Sequence, residues 1–232
     1  MITFAFVNPK GGTGKTTSAL LLAEQIALAD ARVTILDCDP NQNILEWLTR
    51  RDEDGRPTPF KVVPRPPEDK LIETVDSLAD KTDYLILDLE GTASQSVTYA
   101  LSRADLALIP LEPNAVEGPH AARAVSLIRR TGQMLNREIP YNLVLNRCNA
   151  AFETSEERAL RREIQSVDVQ ALPVVLVRRA AFTKIFGEAS LLSELQQTAG
   201  DQRERDRLAR AIANARAYAH SVVDALREKA AA

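Results

Sequence analysis

The stretch Lys10-Gly11-Gly12-Thr13-Gly14-Lys15-Thr16-Thr17 decides how the rest of the chain is read. It follows a short apolar run, Ile2–Val7, and leads into a segment with helical periodicity, Thr17–Leu28. A strand, a glycine-rich loop and a helix therefore come in immediate succession. Glycine tolerates left-handed dihedrals and lets a ligand come close, so such a loop can wrap backbone N–H groups around phosphates. The helix N-terminus adds unpaired donors and a partial positive charge. Lys15 supplies a point charge for the β- and γ-phosphates, and the Thr16 hydroxyl is placed to ligate Mg2+. Gly11, Gly12, Thr13, Gly14 and Thr17 complete the candidate phosphate cradle, with ATP as the expected ligand.

Outward from this loop, short apolar runs alternate with longer helix-period stretches. The expected strands are Ile2–Val7, Arg32–Asp37, Lys61–Val63, Tyr84–Asp88, Leu106–Pro110, Asn142–Asn146 and Leu172–Val177. Most are continuous Val/Ile/Leu runs, as expected of parallel strands covered on both faces. Helices are expected over Thr17–Leu28, Asp69–Asp80, Ala115–Met134 and Ser155–Ser166. Thr154 as N-cap and Glu157 three residues later fit a capping box at the last of these. The rhythm predicts an α/β fold with a mainly parallel doubly wound sheet flanked by helices, and the glycine-rich loop after the first strand makes it a P-loop fold. Residues 201–229 read as one C-terminal helix with an apolar stripe through Leu208, Ile212, Ala215, Ala219, Val222 and Leu226, expected to pack on its own domain. Asp52–Pro67 is the least regular stretch, either a loop beside the second strand or a plain surface connection. Residues 1–232 are read as a single domain.

Composition narrows the function classes. The chain has 232 residues, 45% hydrophobic and 26% charged, enough for a substantial core. A formal net charge of -3 means that any nucleic-acid binding must come from a local basic patch. Cys38 and Cys148 make neither a disulfide framework nor a Cys-x-x-Cys metal pair. The start is too short and uncharged for a signal peptide, and no apolar run reaches the roughly 18–20 residues needed to span a bilayer. A cytoplasmic protein with no stable membrane anchor is expected.

The loop departs from the ordinary Gly-x-x-x-x-Gly-Lys-[Ser/Thr] pattern, which needs glycine where Pro9 stands, and carries an additional lysine, Lys10. Asn8-Pro9-Lys10-Gly11-Gly12-Thr13-Gly14-Lys15-Thr16-Thr17 resembles the deviant Walker A loop of the ParA/MinD family, ATPases that dimerise around two ATP molecules. The resemblance implies that Lys10 is the signature lysine that reaches the partner protomer's phosphates, acting as an arginine finger does. Ile35-Leu36-Asp37-Cys38-Asp39-Pro40 is similar to the family's second motif. It implies that Asp39 orients the attacking water and that Asp37 lies nearer the metal's water shell. An Asp-Pro turn in which Asp39 caps the helix beginning near Gln42 is compatible with that role. Tyr84-Leu85-Ile86-Leu87-Asp88 resembles a Walker B strand, with Asp88 holding Mg2+ through water.

Leu143-Val144-Leu145-Asn146-Arg147 is similar to the strand end where the family reads adenine, which makes Asn146 the candidate for the base, with a turn residue as the alternative. Glu90 stands in the expected phosphate-sensing switch, where many relatives carry small or proline residues, so hydrolysis is expected to be slow or partner-triggered. The likeness is to the short type without an N-terminal helix-turn-helix, which includes plasmid-partition ATPases and VirC1-like proteins of conjugative transfer. It implies an ATP-dependent homodimer that binds DNA without sequence preference and positions a DNA cargo. The state with ATP would be nucleoid-associated, and a ParB-like or relaxosome-type partner would stimulate hydrolysis. Arg178, Arg179, Lys184 and Arg203 are the candidate DNA contacts. A MinD-like ATPase that positions a protein complex on a membrane or other surface is the alternative.

Overall fold

The computed structural model describes residues 1–91, 94–114, 117–166 and 169–231. Strands β1 (Ile2–Phe6), β2 (Val33–Asp37), β3 (Lys61–Val63), β4 (Tyr84–Asp88), β5 (Leu106–Leu111) and β6 (Tyr141–Leu145) form one sheet. The sheet is six-stranded in the order β3-β2-β4-β1-β5-β6, and every pairing is parallel. From β1 the chain first builds outward on one side through β2 and β3, then crosses to the other side at β5 and β6. The C-terminal end of β1 is thus where the winding reverses, the position at which open α/β sheets leave a crevice for ligands.

Alternation along each strand feeds two separate cores. Phe4 and Phe6 of β1, with Ile35, Ile86, Leu108 and Val144, face one layer of helices: α1 (Lys15–Ala27), α2 (Asn43–Glu53), α7 (Ala180–Gly187), α8 (Leu192–Gln197) and α9 (Gln202–Ala231). Ala5, Leu36, Leu85, Leu87, Ile109 and Leu145 face the other layer: α3 (Leu71–Asp76), α4 (Gln95–Leu101), α5 (Glu117–Met134) and α6 (Ser155–Ser166). Each fully buried Leu, Ile or Phe contributes about 1.5–3 kcal/mol by removal from water, so the central strands are fixed from both sides. In α9, Leu208, Ala215, Ala219 and Val222 are buried against this core, as the stripe predicts.

The expected seventh strand, Leu172–Val177, does not form. The chain runs beside β6 with an isolated bridge from Ala171 to Leu143 and another from Val177 to Cys148 just past the strand, and Leu172 N and Leu176 N donate to Leu143 O and Leu145 O without building a regular ladder. Pro173 has no N–H to donate, and the Asn214 amide of α9 takes over ladder bonds, donating to Val175 O at 2.8 Å and accepting from Val177 N at 2.9 Å. The helix expected over Asp69–Asp80 is also shorter: a 3-10 turn at Glu68–Lys70 precedes α3, and i→i−3 bonds from Leu78 and Ala79 close the chain down toward β4. In the expected helix Ala115–Met134, α5 covers Glu117–Met134, and Ala115 and Val116 lie outside the described residues. The capping box at α6 is present, with Glu157 N donating to Thr154 Oγ1 and Thr154 N to a Glu157 carboxylate oxygen.

The irregular stretch before β3 is an anchored connection. Arg51, fully buried, donates to Pro57 O and pairs with Glu194, while Arg56 reaches Ser190 and Glu188 O. Phe60 stacks on Trp47 with ring centroids 6.0 Å apart. No described helix is long and apolar enough to cross a membrane.

Candidate functional site

The glycine-rich loop joins β1 to α1 at the winding reversal. Gly12 and Gly14 have φ of +77° and +92°, and Gly14 is the residue from which α1 starts. A Cβ on Gly14 would also lie 2.7 Å from Asn146 Nδ2, so glycine is required there twice over. Helix α1 begins at Lys15, two residues before the start read from periodicity, because the left-handed Gly14 turns the loop directly into the helix axis.

Three side chains hold the loop in place. Asn8, fully buried, donates from Nδ2 to Pro110 O at 2.7 Å and accepts from Lys10 N at 2.9 Å. Asn146 donates to Thr13 O at 3.0 Å and exchanges hydrogen bonds with the Ser18 hydroxyl. Lys15 Nζ folds back onto the carbonyls of Asn8 and Lys10, each at 3.3 Å. Burial presses the Lys15 ammonium below its ordinary pKa, with Asp88 and then Asp39 opposing the shift. A cation held by long bonds to neutral carbonyls is poised to exchange them for a phosphate.

The acidic side of the site lies at the ends of β2 and β4. Asp37 and Asp88 are register partners on these neighbouring strands. Asp88 is buried, neither carboxylate oxygen accepts a hydrogen bond, and desolvation pushes its pKa up to about 7. The Thr16 hydroxyl comes near enough to counter that rise without forming a hydrogen bond of good geometry. Asp37 accepts from Ile44 N and Leu45 N, both at 3.0 Å, and its other oxygen has no partner. The residue capping α2 is therefore Asp37. Asp39 instead closes an Asx turn, accepting from Asn41 N at 2.8 Å, and stays half-buried toward the loop.

Buried carboxylate oxygens without donors, beside a threonine hydroxyl at a helix start, suit a hard cation such as Mg2+. Thr16, Asp88 and Asp37 are the residues that would hold it. The segment after Asp88 lies on the loop itself, since a Cβ on Gly91 would come 3.2 Å from Gly11 N and 3.4 Å from the Lys10 carbonyl carbon. Lys10 is only half-buried, and its ammonium pairs with Glu117, a buried residue in the first turn of α5.

Beside the loop, a cavity of about 510 Å3 is lined by Gly14, Thr17, Asn146, Leu176, Arg179 and Phe186, wide enough for a nucleoside. Glu112 spans its rim by pairing with both Arg147, at 3.1 Å, and Arg178. Asn146 lies in the wall, although its amide is already engaged with the loop.

The expected basic patch is divided. Arg178 is held by Glu112, and Lys184 pairs with Glu204 at 2.9 Å and Glu188 at 3.8 Å. Arg179 and Arg203 form no ion pair among the described residues, and Arg203 is exposed. Burial and then the like charge of Arg210 lower the pKa of Arg179.

Asn8 and Glu117 carry no role that sequence reading had assigned. Asn8 directly precedes the loop and was visible as a polar residue at a strand end. Glu117 meets Lys10 across a separation of 107 residues, for which the local pattern gives no signal.

Comparison with known proteins shows the family and the fold. Residues 4–192 match the family described as CobQ/CobB/MinD/ParA nucleotide binding domain. The chain is similar to Protein ParA of Rhizobium radiobacter, 30% identical over 219 residues that cover 94% of this chain and 95% of the relative. Protein virC1 of Rhizobium rhizogenes is 26% identical over 75% of this chain and 76% of its own length. Among solved structures, apo McdA of Cyanothece superposes with a TM-score of 0.71 at 17% identity, covering 93% of this chain and 99% of that one. A variant of that protein with one aspartate replaced by alanine has also been solved as an ATP complex. The phosphate loop, the strand-end acids and Lys10 all lie within the matched residues 4–192, and the chain belongs to the CobQ/CobB/MinD/ParA nucleotide-binding family.

Proposed function

We propose that the protein is an ATP-dependent dimerising switch that binds DNA without sequence preference, positions a DNA cargo and is reset by hydrolysis. The observation that carries this reading is the constellation of two lysines and three carboxylates, Lys10, Lys15, Asp37, Asp39 and Asp88, on one phosphate loop and the two strand ends next to it. A single lysine would serve nucleotide binding alone. The half-buried Lys10 is a second cation with a side chain long enough to leave its own loop.

The protein's own groups divide the chemistry. The loop N–H groups and the start of α1 bind the phosphates, and Lys15 leaves the carbonyls of Asn8 and Lys10 to join them. Asp88, Asp37 and Thr16 would hold Mg2+, which would supply positive charge to the phosphate oxygens. Asp39, which forms no ion pair among the described residues and is held in its Asx turn, accepts a hydrogen bond from the attacking water and orients it. Asn146 forms the wall of the base cavity next to the loop. Lys10 stabilises the charge that develops on the partner protomer's phosphates.

For DNA, the paired state of Arg178 and Lys184 moves the emphasis to Arg179, Arg203 and the neighbouring Arg210. Burial and then the nearby charge of Arg210 disfavour the Arg179 cation, a cost that a bound anion would relieve. The switch is read as one P-loop unit, acting in the cytoplasm on the nucleoid with a separate stimulating partner of the ParB-like or relaxosome type. The relatives named Protein ParA and Protein virC1 support this direction.

The test is DNA binding by Asp39→Ala with ATP and Mg2+ or with ADP, across a salt series. Salt-sensitive binding with ATP only is the expected result. Dimerisation without DNA binding in either state would move the cargo to a protein or membrane surface.

A further inference from the structure

We infer that Glu117 is the positioning residue for Lys10: it holds the lysine within its own protomer until nucleotide arrives, and so sets how much ATP is needed for two protomers to close. This rests on the reading above that Lys10 acts across a dimer.

The geometry that carries it is local. The Glu117 side chain is 2% exposed, while that of Lys10 is 35% exposed, so the pair joins a buried anion to a cation near the surface. The Lys10 ammonium occupies one Glu117 oxygen, and the other has no hydrogen-bond partner. Lys10 is thus the only cation paired with this carboxylate among the described residues. Moving Lys10 to another protomer leaves a buried carboxylate uncompensated, which disfavours the closed dimer unless phosphate contacts outweigh it.

A second tether links this contact to nucleotide. The Lys10 carbonyl accepts from Lys15 Nζ at 3.3 Å, and its N–H is held by Asn8 at 2.9 Å. When Lys15 turns to incoming phosphates, the Lys10 backbone loses one of its restraints in the same event that creates the target for its side chain. Asn8 still holds the Lys10 N–H, and the pair with Glu117 is then the hold on the lysine's ammonium. A ligand shifts an equilibrium only by its differential affinity for the two states, and this contact exists in one state alone.

Glu117→Gln tests this, since it keeps the shape and an acceptor oxygen but removes the charge. Two readouts are taken on the full chain. The first is the rate of amine labelling at Lys10, followed by mass spectrometry without nucleotide. The second is the ATP concentration at half-maximal dimerisation, measured by light scattering with Mg2+. Labelling is expected to rise several-fold, and the ATP requirement to fall by about tenfold.

Unchanged labelling overturns the proposal, because the lysine would not be held. Raised labelling with an unchanged or higher ATP requirement overturns it too, because the contact would not oppose closure. Glu117→Asp keeps the charge with a shorter reach, and is expected to fall between the two in both readouts should the glutamine variant fold poorly. If the wild type does not dimerise with ATP at all, the switch reading has failed, and the labelling result still reports on the ion pair.

Discussion

Asp37 and Asp88 stand opposite each other at the ends of adjacent parallel strands, and each keeps at least one buried oxygen that accepts no hydrogen bond. Such a pair is unfavourable in the empty protein and becomes favourable when a cation is shared between them. On the proposed reading, a bound cation would offset a cost that this arrangement imposes on the free chain.

The first prediction concerns pH. Burial raises the pKa of Asp88 from 3.8 to about 7, so between these values the folded chain keeps a proton that the unfolded chain has released. The native state binds more protons in that window, and stability falls as pH rises through it. In EDTA without nucleotide, Asp88→Asn should be more stable than the wild type by roughly 2–4 kcal/mol at pH 8, with the gain vanishing near pH 4. Denaturant titrations at both values check this, and a gain independent of pH would point to packing instead.

Gly14→Ala should remove nucleotide binding. The substitution meets a φ of +92° and brings a Cβ to 2.7 Å from the Asn146 amide. A loss of about 1–3 kcal/mol in stability is expected from the strained dihedral. Binding of a fluorescent ATP analogue should fall at least tenfold, and wild-type affinity would mean that the loop can re-form around a side chain.

Asn8→Ala should lower stability by about 1–3 kcal/mol, because the Pro110 carbonyl and the Lys10 N–H lose buried partners together. Nucleotide affinity should fall as well, since Lys10 N belongs to the loop. An isothermal titration and a thermal melt separate the two effects. Unaltered values in both would show that the loop holds its shape without this clamp.

The state of the arginines predicts an unequal response to mutation. Arg179→Ala and Arg210→Ala should each reduce the slope of log affinity against log salt for DNA by about 1. Arg178→Ala and Lys184→Ala should change it less, because Glu112, Glu188 and Glu204 already neutralise these cations. Equal effects at all four positions would mean that the ion pairs open on binding.

The main frame was legible in the sequence because two-sided burial leaves a plain mark. Runs such as Tyr84-Leu85-Ile86-Leu87-Asp88 have few other uses than a central parallel strand, and the strands of the sheet fall where such runs lie except the short, half-exposed edge strand β3. The run Leu172–Val177 carries the same mark and is not a strand, since Pro173 and the distant Asn214 decide its bonding. The phosphate loop could be read because its chemistry is contiguous. Which acid caps α2 was a choice between Asp37 and Asp39, two residues apart, that the local pattern leaves open, and which cations are already paired depended on partners far away in sequence. Glu112 lies 66 residues from Arg178, and Glu117 lies 107 from Lys10, distances that periodicity cannot bridge.

The most direct test is sedimentation of the wild type and of Lys10→Ala with ATP and Mg2+, alongside their steady-state hydrolysis rates. The wild type should move as a dimer with ATP and as a monomer with ADP. Lys10→Ala should bind ATP through Lys15 yet remain monomeric, with hydrolysis reduced at least tenfold for want of a cation supplied in trans. A Lys10→Ala protein that dimerises and hydrolyses ATP as the wild type does would contradict the role given to this lysine, and with it the switch.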